Sequence, residues 1–204
     1  MLLQIIPFLT ASILLTLSPG PDIIYVLVQS MTNGKKAGIM TALGLVSGIL
    51  IHTSLVAFGV SAIIKESETL FWIIKIFGAG YLFYLAYKVY GSDGGIKIES
   101  SKKLPTRKIA LLKQGFIMNV LNPKVTIFFL AFFPGFLWDT EGNTVLQFYI
   151  LGFLFMLQAM IIFGLIALIS GKISKYLLQH PRSGVILKWI QVVVFIAIGV
   201  LILI

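Results

Sequence analysis

The sequence predicts an all-α integral membrane protein: six transmembrane helices forming two inverted three-helix repeats, with helices one and four broken by proline motifs. Three observations carry that prediction. Of 204 residues, 58% are hydrophobic and only 11% are charged, whereas soluble domains run nearer half apolar and a quarter charged. The apolar residues fall into six runs, each long enough to cross a hydrocarbon core about 30 Å thick. Lysine and arginine collect in alternate connections, the pattern that sets membrane orientation.

The first span covers 3–31. Residues 1–17 carry no Lys or Arg, so the basic start of a cleavable secretory signal is missing. The apolar run continues through Gln29 with Asp22 as its only charge. It is interrupted by Ser18-Pro19-Gly20-Pro21-Asp22. Proline removes a helix hydrogen bond and clashes with the preceding turn, so two prolines around a glycine unwind this helix rather than bend it. The second span, 39–64, has no charged residue. Its His52 reads either as a proton relay or as a hydrogen-bonded packing histidine. Gly44 and Gly48 form a small-xxx-small pair suited to close helix packing.

The third span, 69–90, carries Tyr81, Tyr84, Tyr87 and Tyr90 at every third position. Tyr87 and Tyr90 lie at the basic end as interfacial anchors. Tyr81 and Tyr84 are deeper, where a hydroxyl needs a partner, and either line a pathway or pack helices. Lys75 is expected to snorkel outward. The fourth span, 111–137, is interrupted by Asn122-Pro123-Lys124, and the fifth, 144–170, is free of charge. Asn119 and Gln158 read as polar glue between helices or as substrate contacts. The sixth, 185–204, begins at the interfacial pair Lys188 and Trp189.

Connections separate by charge. The first holds Lys35 and Lys36, and the third adds Lys97, Lys102, Lys103, Arg107 and Lys108 between Lys88 and Lys113. The fifth holds Lys172, Lys175, Arg182 and Lys188. The second sets Lys65 against Glu66 and Glu68, and the fourth has only Asp139 and Glu141. Basic connections stay inside, which places both termini outside. The net charge of +9 thus records topology, and no nucleic-acid partner is expected. Residues 1–91 form the first repeat, 92–110 a cytoplasmic basic linker opened by Ser92-Asp93-Gly94-Gly95, and 111–204 the second. Because three is odd, equivalent helices of the two repeats cross in opposite directions, as in inverted-repeat transporters.

Chemistry concentrates at the two breaks. Asp22 precedes Lys35 by 13 residues and Lys124 follows Lys113 by 11, which puts them roughly 20 Å and 16 Å from the cytoplasmic boundary, near the midplane. A charge there costs at least about 2.5–3.5 kcal/mol, and opposite charges at one depth point to a shared purpose. Pro21 and Pro123 suit the first turn of a restarting helix, and Asn122 is a strong N-cap. The freed N–H groups and the helix dipole favour a carboxylate, to which Lys124 adds full charge. Asp22 would accept an ammonium or carry a proton. The site expected for a small zwitterion is therefore Pro19, Gly20, Pro21, Asp22, Asn122, Pro123 and Lys124, with Tyr81 and Tyr84. Asp22 and His52 are the proton-coupling candidates. The bland alternative is a buried Asp22–Lys124 ion pair that holds the repeats in register.

Other functions fit less well. There is no cysteine, so thiolate chemistry is excluded. No Walker motif, HExxH motif or paired carboxylates appear, which argues against an enzyme, and no cofactor or metal is expected. Export of a metal cation would rest on Asp22 and His52, too sparse a ligand set and opposed by Lys124. A membrane assembly subunit that transports nothing would gain little from two broken, charged segments.

At these breaks the sequence resembles the lysine-exporter (LysE/RhtB) family of bacterial amino-acid exporters. The resemblance rests on Ser18-Pro19-Gly20-Pro21-Asp22, on Gly78-Ala79-Gly80-Tyr81-Leu82 with Tyr84-Leu85, and on Gly115-Phe116. It continues through Asn119, Asn122-Pro123-Lys124 and Phe132-Phe133-Pro134 and covers essentially the whole chain. Ala86 stands where the family often has glycine, and Gly135 follows Pro134 where glutamine is common. The resemblance implies a multi-pass protein of the bacterial inner membrane. It implies alternating-access export of amino acids or related zwitterionic metabolites, driven by the proton gradient. The large apolar flanks leave a homodimer open.

Overall fold

A computed structural model describes residues 2–92, 106–140, 142–180 and 182–204. Lys97, Lys102, Lys103 and Glu141, and with them most of the expected basic linker, lie outside the described residues. All regular structure among the described residues is helical.

The first apolar run is two helices, α1 (Leu2–Leu17) and α2 (Pro21–Asn33). Their axes differ by 56° across the break. A single residue, Gly34, joins α2 to α3 (Lys35–Leu55). Its φ of 85° lies in a region that side-chain-bearing residues rarely adopt. A π-helical turn over Val56–Val60 and α4 (Ser61–Glu66) continue α3. Then comes α5 (Glu68–Tyr90), capped by the Ser67 hydroxyl, which accepts from the Leu70 N–H. The fourth run divides into α6 (Lys108–Val120) and α7 (Pro123–Ile127), which continues as a π turn over Phe128–Phe132 and a 3₁₀ turn over Phe133–Phe136. This pair bends by 49°. The last helices are α8 (Thr144–Gln179) and α9 (Arg182–Leu203).

Among the described residues, four stretches are long and apolar enough to cross a membrane, namely Lys35–Ile63, Glu68–Tyr90, Thr144–Leu177 and Ser183–Leu203, and the two bent pairs bring the total to as many as six. The chain is a multi-pass membrane protein. One expected boundary moves. The fifth span was expected to end at 170, but α8 runs unbroken for 36 residues, about 54 Å against a hydrocarbon core of about 30 Å. No residue from Lys172 to Gln179 breaks a helix, and the stop comes only before Pro181. Lys172 and Lys175 therefore ride on a helix rather than in a loop.

Close packing follows the small residues. A side chain on Gly44 would fall on the Leu112 carbonyl, and one on Gly115 would fall on the Thr41 carbonyl. These glycines let α3 and α6 run backbone against backbone. α5 packs on α9, where a side chain on Gly199 would fall on the Phe83 ring, Gly78 of α5 faces Ala131 of the π turn, and α8 lies against α1, α2 and α3. At the centre, buried Phe128, Phe129, Phe132 and Phe133 follow α7, with Phe129 stacked on Phe133 at 4.3 Å. Phe8 of α1 and Phe155 of α8 close on the same cluster, edge-on to Phe133 at 5.1 Å and to Phe129 at 5.2 Å. Near the α5 C-terminus, Tyr90 meets Trp189 at 5.7 Å and the Lys188 ammonium donates to the Ser92 carbonyl at 2.6 Å. Lys75 sits over the Trp72 ring at 4.3 Å.

Candidate functional site

Each break leaves a carbonyl without its helical donor. In an α-helix the N–H of residue i bonds the C=O of residue i−4, and proline has no N–H to give. Pro19 thus deprives the Leu15 carbonyl, and Pro123 deprives the Asn119 carbonyl. Both are supplied from elsewhere in the fold. Lys124 Nζ crosses from α7 and donates to Leu15 O and Ser18 O, each at 3.1 Å. His52 Nε2–H donates to Asn119 O at 3.1 Å, a carbonyl that also accepts from the Asn122 N–H at 2.9 Å.

Lys124 therefore neutralises the negative end of α1, and Asp22 stands in the first turn of α2 at its positive end. Both are buried, at 8% and 5% exposure. The two charges are linked through Asn122. Its amide N–H donates to Asp22 Oδ2 at 2.7 Å, while its Oδ1 accepts from the Lys124 backbone N–H at 3.0 Å as the N-cap of α7. Hydrogen bonds to charged groups contribute about 1.5–3 kcal/mol each, which lowers the cost of burying these two charges. Gly20 makes room for this arrangement, since a Cβ there would stand 3.1 Å from Lys124 Nζ.

A cavity of about 20 Å³ lies against this centre, lined by Thr16, Asp22, Asn119 and Lys124 with Phe155 and Phe163. That is room for one water molecule. The residues expected from sequence divide around it. Asp22 and Lys124 line the cavity, and Asn122 is bonded to Asp22. Pro21 and Pro123 shape the first turns of their helices but are themselves exposed. Pro19 faces the flank, where it joins Leu17 and Ile24 in a separate apolar cleft of about 290 Å³ between α2, α8 and α9. His52 is buried against the Phe129 ring at 5.5 Å and reaches the centre only through the Asn119 carbonyl. Tyr81 and Tyr84 touch each other at 6.0 Å on α5, with Tyr84 53% exposed, and neither lines the cavity.

A polar set on α1 went unnoticed in the sequence. Gln158 Nε2 donates to Thr16 Oγ1 at 3.0 Å, and the Thr16 hydroxyl donates to the Ser12 carbonyl at 2.8 Å. Ser12 and Thr16, four apart in an apolar helix, were the available signal. Among the described residues, no group of three or more His, Asp or Glu side chains could hold a metal ion.

A family model described as LysE type translocator matches residues 13–204. Proteins named leucine efflux protein from Salmonella choleraesuis, Salmonella paratyphi A and Salmonella typhimurium are each 33% identical over 144 residues, covering 71% of this chain and 68% of the relative. No solved structure gives a significant match.

Proposed function

We propose that this chain, which belongs to the LysE type translocator family, exports amino acids or closely related zwitterions, with leucine-like molecules as the first candidates. The names of its relatives support that substrate class. The observation that carries the mechanism is the pairing at the two breaks. Oppositely charged, buried side chains from the two halves meet there through one asparagine.

In this reading the bent pairs are spans one and four of two inverted repeats. The basic connections face the cytoplasm of the bacterial inner membrane, and both termini face outward. A 20 Å³ cavity is far too small for an amino acid, so the conformation is a closed one. Opening parts α1–α2 from α6–α7, and the bonds that break are the ones a zwitterion replaces. Its carboxylate takes Lys124 from the Leu15 and Ser18 carbonyls, and its ammonium takes Asp22 from Asn122. Substrate and the opposite half thus compete for the same groups, which is what alternating access requires of a gate. When the site is empty of substrate, Asp22 carries the coupling proton. His52, whose Nε2–H is committed to the Asn119 carbonyl, serves the break rather than the proton.

The test is counterflow of the standard amino acids in proteoliposomes of the purified chain, with and without an imposed pH gradient. Leucine exchange accelerated by the gradient is expected, and both Asp22→Asn and Lys124→Ala should abolish it while leaving protein in the membrane. Normal exchange by the two variants would refute the roles assigned here.

A further inference from the structure

The 20 Å³ void at the breaks has no room for a side chain, so the body of a zwitterion must lie elsewhere. The apolar cleft of about 290 Å³ between α2, α8 and α9 is its neighbour along three helices. On α1, Thr16 lines the void and Leu17 the cleft, and on α2, Asp22 lines the void and Ile24 the cleft. On α8 the corresponding residues are Phe163 and Ile166, one turn apart. Ile23 lines both spaces, so a single side chain forms a wall common to the two. It is only partly buried and follows the Pro19-Gly20-Pro21 break. The cleft's volume stands at the lower end of the range for small-molecule sites, roughly 300–1,000 Å³. Among the described residues no Asp, Glu, Lys or Arg lines it. Of its two hydroxyls, that of Ser183 already donates to the His180 carbonyl.

We infer that the cleft is the substrate's side-chain pocket, with Ile23 as the partition that turns aside when the head engages Asp22 and Lys124. The inference rests on the amino-acid export reading above and names the class within it: amino acids whose side chain is apolar and uncharged. A lysine or glutamate side chain would set its charge against apolar walls with no partner, which is costly. Alanine fits but buries little. Ile24, Ile166 and Ile173 set the bore. A lipid acyl chain is the competing occupant of an apolar cleft on the flank of a membrane protein. The shared wall favours the substrate, because an acyl chain gains nothing from lying one side chain away from a carboxylate and an ammonium.

Competition against radiolabelled leucine counterflow in proteoliposomes, with the unbranched series from alanine to norleucine and with lysine, reads the pocket carbon by carbon. In the wild-type chain each added methylene should strengthen competition roughly fourfold, the worth of one buried CH₂. Lysine, which adds a charge to the norleucine chain, should compete more weakly than alanine. Ile173→Trp should flatten the series while alanine competes as before. Ile173→Ala should let phenylalanine gain roughly tenfold on leucine. A flat series in the wild type overturns the pocket without any variant. An unchanged series in both Ile173 variants also overturns it and leaves the cleft to lipid. Equal weakening of every competitor by both variants reports a structural role and overturns it too. Normal transport by Asp22→Asn and Lys124→Ala strikes the export reading beneath, whereas a flat wild-type series with those two variants inactive strikes the pocket alone.

Discussion

Asn122 donates to Asp22 through one end of its amide and accepts from the Lys124 backbone through the other. Removing it has two separable effects. Asn122→Ala loses an N-cap, about 1 kcal/mol, and leaves a buried carboxylate oxygen without a donor, about 1–3 kcal/mol. Asn122→Ser restores the cap but is too short to reach Asp22. Thermal unfolding in detergent should therefore rank wild type above serine and serine above alanine, and equal stability of wild type and the serine variant would deny the Asp22 contact its weight. At this scale much was legible. Asp22 and Lys124 stand out as charges in apolar runs, and Asn122 stands before a proline where a cap belongs. The partners of Lys124, Leu15 O and Ser18 O, were not legible as side chains because they are carbonyls, although the proline rule points to Leu15. The Tyr81–Tyr84 stripe shows its period in the sequence but not which way it faces, and α5 turns Tyr84 outward. The role of Thr16 depends on Gln158, a contact 142 residues away in the chain.

Between elements, the approach of α3 to α6 fixes where the second break sits. Gly115 lies four residues before Asn119, and a Cβ on it would stand 2.9 Å from the Leu45 backbone nitrogen. Gly115→Leu should force these helices apart and lower stability by about 1–3 kcal/mol, as overpacking does. Gly164→Leu is the control, since nothing lies within 4 Å of a Cβ there. Helix propensity favours leucine at both positions, so an equal change in the two variants would mean that contact was not what was being measured. Helix as the element type was readable from run length and the two breaks from proline, while the expected six spans stand against four to six among the described residues. The length of α8 and the π-helical turns after α3 and α7 were not. Composition beyond residue 170 becomes charged while remaining helix-forming, and a π turn is dictated by the packing of its neighbours rather than by a local signal.

At the scale of the whole molecule, the basic connections predict a sidedness that a cysteine-free chain makes easy to read. Single replacements Glu68→Cys and Thr140→Cys should react with an impermeant thiol reagent on intact cells, and Lys36→Cys and Lys172→Cys only after lysis. All four positions are exposed, so a mixed pattern would overturn the assigned orientation. The polar contacts of Asp22, Lys124 and Thr16 with the opposite half lie beside a void of one water's size. A hydrated ion or a hopping proton needs a file of solvent from one face to the other, and so small a void offers no such file. A void of this size is no ion path by itself, so charges held at the breaks do not by their burial alone cost a membrane its voltage.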